Sequence, residues 1–491
     1  MRPLALALLL TTAACTVGPD FKRPAAPDVT GYAPDGLPAR TASADAVAGA
    51  AQYFDMGKDI PAQWWTLFRS QPLNDLVVQS LKANPTVDAA RAALRQAQEN
   101  ERAQVGGYFP QISAGLSGSR NLTPTRTVAP FSSSGNPYYS LITPELNVSF
   151  VPDVFGANAR AVESLAAQAE NQRFELEATY LTLSSNVVAA AIQEASLRGQ
   201  VAATQQTIAI ETNLLNILRR QMALGQVAGV EVATQEAALA QARQALPPLQ
   251  KQLAQQRDLL AVLAGRYPSE DVAARFEIAS LHLPQEIPVS LPAKLVVQRP
   301  DVRAAEATLH ATSAQIGVAV AARLPQLTLT AQLGNQAESI SSLFLPGTNF
   351  WTLGAGLTTP LFEGGTLLHR QRAAQAAFDQ AAAQYRNTVL TAMQNVADTL
   401  HALQSDADAL VAAVETQRAT ARTLAITRKQ LALGQVAYLT LLNAQQTDQQ
   451  ARLAVVQAQA SRLADTAALF QALGGGWWNR PGVADAGANQ P

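Results

Sequence analysis

The sequence has a single cysteine, Cys15, so it can form no disulfide within itself and no thiolate metal cage. Histidine is almost as sparse. His282, His310, His369 and His401 lie far apart, and none belongs to an HExxH-type ligand spacing. There is no P-loop, no paired-carboxylate signature and no nucleophile elbow, so nothing supports an enzyme, a metal or a cofactor. Charged residues make up 15% of the 491 residues, well short of the roughly 25% of an ordinary soluble domain. The net charge of −1 gives no electrostatic case for nucleic acid as a partner. Aromatics are only 6%. After residue 15 no run reaches the ~18 apolar residues of a membrane-spanning helix.

What fills these gaps is Ala, Gln, Ser and Thr. Small, uncharged, largely helix-forming residues suit closely packed helices beside water better than a large globular core. The chain opens with Arg2, the apolar run Leu4–Leu10 and the small residues Thr11–Ala14 before Cys15. This order describes a secretory signal over 1–14, and its ending resembles a bacterial lipobox, after which Cys15 is the lipidated N-terminus. An ordinary signal peptide followed by an incidental cysteine is the other reading. Thr16 after the cysteine fits sorting to an outer membrane.

Internal repetition organises the rest. Asn84-Pro85-Thr86-Val87-Asp88-Ala89-Ala90 returns 215 residues later as Arg299-Pro300-Asp301-Val302-Arg303-Ala304-Ala305, and Phe109-Pro110-Gln111-Ile112 returns at the same offset as Leu324-Pro325-Gln326-Leu327. Leu224-Gly225-Gln226-Val227-Ala228 is repeated letter for letter as Leu433-Gly434-Gln435-Val436-Ala437, an offset of 209. Three landmarks in one order describe a tandem duplication, with a first copy over 73–282 and a second over 283–473. An N-terminal extended segment over 15–72 precedes them, and a flexible tail over 474–491 follows.

Each copy predicts one amphipathic helix (about 73–107 and 292–322), two strands (about 111–119 and 141–151; 326–334 and 350–359), a very long helix (about 156–224 and 364–433) and a returning helix (about 229–265 and 438–473). The strands alternate: Leu327, Leu329, Ala331 and Leu333 interleave with Gln326, Thr328, Thr330 and Gln332. Period-two alternation gives one apolar and one polar face, which suits either a membrane barrel or a half-buried soluble sheet. Four strands cannot close a barrel, so a barrel would need several chains; three would supply twelve strands. The long helices could each run ~100 Å, and seven-residue apolar steps such as Val201, Ile208, Leu215 and Met222 predict supercoiled packing. Pro247-Pro248 predicts a break in the first returning helix.

Gly225 and Gly434 follow the long helices, where a glycine ends a helix in the left-handed conformation. Arg219, Arg220, Arg428 and Lys429 complement the helix dipoles there. The same residues, repeated at both turns with Val227 and Val436, also describe a shared docking surface.

Together these features resemble the outer-membrane efflux protein family of the TolC and OprM type, in its NodT-like lipoprotein branch. The resemblance rests on Cys15-Thr16-Val17-Gly18-Pro19-Asp20-Phe21, on Trp64-Trp65 with Leu67-Phe68, and on Leu295-Val296-Val297-Gln298-Arg299-Pro300-Asp301-Val302-Arg303. Thr359-Pro360-Leu361-Phe362-Glu363-Gly364-Gly365 and Ala472-Leu473-Gly474-Gly475-Gly476-Trp477 carry it to the C-terminus. It implies a mainly α fold with a membrane β-barrel contribution, in which a homotrimer forms a twelve-stranded barrel and a tunnel of long helical hairpins. It implies a passive, gated outer-membrane channel of a tripartite efflux system, exporting drugs or other small toxic compounds. The implied partners are outer-membrane lipids, a periplasmic adaptor at the turns and an inner-membrane pump of the RND type. Glu231, Thr440 and Asn443 fall at the implied periplasmic constriction, where relatives carry acidic rings; Thr440 and Asn443 depart from that pattern. A type I secretion channel and a non-conducting coiled-coil spacer lipoprotein are the alternatives.

Overall fold

The computed structural model describes residues 16–34, 36, 38–122 and 138–480. The expected signal segment, Cys15, most of the loop 121–137 and the tail beyond residue 480 lie outside the described residues.

The two copies fold as the same series of elements. The first, with β1 (Tyr53–Met56) drawn from the N-terminal segment that precedes it, comprises α1 (Gln71–Ala83), α2 (Pro85–Val105), β2 (Gln111–Leu122), β3 (Tyr138–Phe150), α3 (Ala157–Ala223) and α4 (Gly229–Leu263). The second comprises β4 (Glu286–Val289), α5 (Pro292–Gln298), α6 (Pro300–Ala321), β5 (Gln326–Asn335), β6 (Asn349–Thr358), α7 (Thr366–Ala432) and α8 (Tyr438–Ala472). Both long helices have 67 residues and both returning helices 35, so no insertion has disturbed the hairpins since they were copied.

Each helix expected to open a copy is in fact two. A proline disfavours helical geometry in the residue before it, and Asn84 and Arg299 sit before Pro85 and Pro300 with ψ of 126° and 125°. Asn84 then serves both neighbours: its Nδ2 donates to Leu263 O (2.9 Å), and its Oδ1 accepts from Thr86 N (2.9 Å). The break expected at Pro247-Pro248 does not occur, because α4 runs through both prolines. The carbonyls deprived of donors belong to Arg243 and Gln244, which are exposed, so water can satisfy them.

The chain divides into two compact units, Met1–Arg23 with Leu94–Gln172 and Ala305–Tyr385, and Pro24–Ala93 with Arg173–Ala304 and Arg386–Pro491. The first contains a four-stranded antiparallel sheet in the order β2-β3-β5-β6. The second contains the parallel pair β1-β4 and most of both hairpins. In this second unit Trp64, Phe68 and Phe470 form an aromatic centre with ring centroids 5.6–6.5 Å apart. The wholly buried Arg462 of α8 donates to Thr41 Oγ1 (2.8 Å), Ala50 O (2.7 Å) and Ala48 O (3.1 Å), fastening the segment 41–50. The first residues of the expected tail are docked as well: Trp477 Nε1 donates to Gln298 O (2.6 Å), and its ring meets Phe174 edge-on at 5.7 Å.

Candidate functional site: the strand face and the hairpin turns

Strand register decides what the sheet can face. Ile112 lies opposite Val148, Val148 opposite Ala331, and Ala331 opposite Leu353, so one row across all four strands is apolar. Ala114, Leu146, Leu333 and Trp351 make a second such row. Between them runs Ser113, Asn147, Gln332 and Thr352, followed by Gln111, Ser149, Thr330 and Gly354 on the other side. A slip of one residue anywhere would mix the faces. Ile112, Leu116, Trp351, Leu353 and Leu357 stand exposed. The strands of 10–13 residues match the length a tilted membrane strand needs. Strands β2 and β6 each lack a partner on their outer edge within the described chain. Among the described residues, no helix is long and apolar enough to cross a membrane.

The two hairpin turns are built alike. Gly225 has φ +72° and Gly434 φ +70°. Gly225 N donates to Met222 O and Gln226 N to Gln221 O, both at 2.9 Å; Gly434 N to Leu431 O and Gln435 N to Gln430 O repeat the bonds at 2.9 Å. This is the glycine-terminated helix end in which two late amides satisfy two orphan carbonyls. A Cβ on either glycine would meet nothing within 4 Å, so both turns stand in open space. Leu224, Val230, Leu433 and Leu439 are exposed around them, while Val227 and Val436 are half-buried.

The other expected site residues take separate places. Arg219 pairs with Glu236 (2.7 Å), tying α3 to α4, and Arg220 Nε donates to Asn216 O (3.2 Å). Arg428 is exposed on α7. Glu231 turns one carboxylate oxygen back to Ala228 N (3.3 Å), capping its own helix, and Thr440 and Asn443 are exposed on α8.

Just inside the turns lies a buried polar chain that sequence reasoning missed. Tyr438 OH donates to Gln235 Oε1 (2.5 Å), and Gln235 Nε2 donates to Glu211 O (2.9 Å) and to the Glu211 carboxylate. All three residues are buried, within an apolar shell of Leu215, Leu218, Val232, Leu239, Leu424, Leu441 and Leu442. Burial raises the Glu211 carboxyl above its ordinary range, opposed by the Gln235 donor and the nearby Arg428 charge. Burial likewise raises the Tyr438 phenol, so it stays a donor. The chain crosses from α8 through α4 to α3 and therefore joins the second hairpin to the first. The available clue was a mismatch between the copies, since Tyr438 stands where the first copy has Gly229.

A sheet with one apolar and one polar face and two open edges, combined with paired hairpins of 67 and 35 residues, defines an outer-membrane channel protein of the long-hairpin class. The family described as outer membrane efflux protein matches residues 76–266 and 291–475, and the chain belongs to that family. It is 30% identical to the pyoverdine export outer membrane protein OpmQ of Pseudomonas putida, over 84% of this chain and 88% of that one. It is 29% identical to the toluene efflux pump outer membrane protein TtgC of Pseudomonas putida, over 97% and 95%. Among solved structures, the outer-membrane channel OprN superposes with a TM-score of 0.83 at 26% identity, covering 94% of this chain and all of that one. The outer membrane protein VceC of Vibrio cholerae superposes with a TM-score of 0.76 at 25% identity, over 85% and 100%. The protein is an outer-membrane efflux channel, in a family of transport proteins rather than enzymes.

Proposed function

We propose that three copies of this chain form a passive, gated conduit through which an inner-membrane pump, of the RND type, expels small toxic compounds by way of a periplasmic adaptor. The observation that carries this reading is the sheet: four aligned rows of alternating character, with β2 and β6 unpartnered. Open strand edges are not tolerated in lipid. Two chains would make eight strands, whose interior side chains fill the barrel; three make twelve, wide enough for a water-filled duct. The polar rows, with Ser113, Gly354 and Gly356, line that duct and the apolar rows face lipid. Six hairpins, two from each chain, enclose the tunnel. Catalysis has no part in this mechanism, and the energy comes from the pump. Cys15 carries the acyl anchor in the outer membrane.

The adaptor engages the turns at Gly225 with Val227 and Gly434 with Val436, where exposed Leu224, Val230, Leu433 and Leu439 offer apolar contact. At rest the turns close the tunnel, and adaptor contact spreads them. The full-length protein in a planar bilayer tests the reading. Discrete conductance steps are expected, whereas a folded, outer-membrane-located protein that never conducts would be a spacer. Efflux and adaptor binding that survive Gly434→Pro would remove the turns from the mechanism.

A further inference from the structure

Residues 16–23 form neither helix nor strand, yet they are held along their length by two helices from opposite copies, α3 and α6. Val17 N donates to Phe155 O (3.2 Å). Gly18 has φ +98°, and a Cβ there would sit 2.4 Å from the Cα of Gly317, so segment and helix cross at backbone contact. A Cβ on Gly317 would in turn lie 2.9 Å from Val17 O, and one on Gly156 would lie 2.6 Å from Thr16 Cγ2. Arg160 of α3 donates to Val17 O (3.1 Å), to Asp20 (2.7 Å) and to Glu163 (2.7 Å). Its side chain is 6% exposed although that of Asp20 is 90% exposed. Phe21 stacks on His310 of α6 at 4.3 Å and 13°, His310 pairs with Glu163 (2.9 Å), and Arg23 pairs with Glu306 (2.6 Å).

A loose tether requires none of this. A buried guanidinium that takes the carbonyl and carboxylate of a surface segment is a receptor for that segment. We propose that residues 16–23 are a docking strap whose seat, built by Arg160 and Glu163 of α3 with Gly317, His310 and Glu306 of α6, fixes where the chain's mature N-terminus lies and locks only when the two copies have packed together. Neither copy alone supplies the seat. The consequence for the anchor rests on the acylation reading above: consecutive Cα atoms are ~3.8 Å apart, so acyl chains on Cys15 would start one residue from Thr16. The anchor is then a positioned group, not the end of a free leash.

Trypsin cleavage of the Lys22–Arg23 bond in the purified full-length protein reads strap release directly. Arg160→Ala and Gly317→Ala should each speed that cleavage about tenfold, because opening no longer breaks charge-assisted bonds to a buried group. Gly317→Ala raises the helix propensity of α6, so its effect cannot come from a weakened helix. Cys15→Ala, exported behind a cleavable signal, should keep the bond protected, since the seat does not involve lipid. Unchanged cleavage in both seat variants, or protection that vanishes with Cys15→Ala, would overturn the proposal. Labelled fatty acid reports acylation separately: protection without label would retain the seat and remove the anchor.

Discussion

Replacing Asp406 with asparagine should tighten the packing of α7 against α8 at alkaline pH and change nothing in acid. Asp406 on α7 is hydrogen-bonded to Asp465 on α8, with Arg462 of α8 as the nearby cation. That guanidinium does not neutralise the pair, because its Nη1 and Nη2 donors are turned to Thr41, Ala48 and Ala50. Burial first, then the hydrogen bond and the charge of Asp465, raise the Asp406 carboxyl from 3.8 to about 7, against the pull of Arg462. A raised folded-state value means that the folded chain holds the proton more tightly than the unfolded one. Stability is therefore full in acid, declines as pH climbs from about 4, and stops declining above about 7. At ~1.4 kcal/mol per unit the shift corresponds to roughly 4 kcal/mol, and solvent screening of this half-exposed group reduces that to about 2 kcal/mol. The substituted side chain presents an amide where the protonated acid stood and can donate to Asp465 at every pH. Hydrogen exchange of the amides around 400–412 and 460–470, corrected for intrinsic rate, measures the opening free energy. The wild type should lose about 2 kcal/mol between pH 5 and 8, and the variant should stay flat, exchanging about thirtyfold more slowly at pH 8. Parallel pH profiles, or an asparagine variant that opens more readily at pH 8, would refute the shared-proton account.

Tyr438→Phe removes the donor to Gln235 and leaves a buried amide oxygen unpaired, which costs about 1–3 kcal/mol. Raised resting conductance in bilayers, with helix content unchanged by circular dichroism, is the expected sign of a loosened tunnel end. Leu353→Arg puts a charge in the middle of an apolar row and should cost about 2–4 kcal/mol of folding in lipid; the same change at Thr352, on the polar face, should be tolerated, as heat-modifiability on gels would show. Gly225→Val and Gly434→Val both force a β-branched residue into left-handed geometry in open space, so each should cost about 1–2 kcal/mol from conformation alone. Equal losses of thermal stability would confirm that the two turns are equivalent as turns, leaving any difference in efflux to the exposed residues beside them.

The helices, strands and turns were legible because each rests on a local pattern. Heptad leucines mark the hairpins, period-two alternation marks the strands, and Gly225 and Gly434 end helices that contain no earlier stop. Proline was misread in both directions, since the breaks before Pro85 and Pro300 were not expected and the one expected at Pro247-Pro248 is absent. At Asn84-Pro85 and Arg299-Pro300 the preceding residue is forced out of the helix, whereas Pro247-Pro248 sits on an exposed helix face where water takes the freed carbonyls. The polar chain of Tyr438, Gln235 and Glu211 was not legible, since its members lie 24 and 203 residues apart and meet only once two hairpins have packed. The same holds for Arg462, which reads as one more surface arginine until it closes over residues 41–50. Glu231 was legible as an acidic residue near the turn, but its carboxylate is turned to its own helix end.

The duplication orders these differences. With the hairpins aligned at their common offset of 209, Tyr438 stands against Gly229, Gln235 against Ala444 and Glu211 against Thr420. Arg462 stands against Leu253, Asp406 against Leu197, and Arg160 against His369. At the offset of 215, Gly317 stands against Arg102. Each of these positions thus falls where the copies disagree, while the turn sequence falls where they agree; the heptads agree only in part, Val201, Leu215 and Met222 standing against Leu410, Leu424 and Leu431 but Ile208 against Gln417. An identical pair of hairpins would make all six junctions of a trimeric tunnel alike. The Tyr438 chain joins the two hairpins of one protein chain, and the swapped positions Gly229, Ala444 and Thr420 lack the groups to rebuild it, so on the trimer reading this particular latch can form only at the junction within a chain.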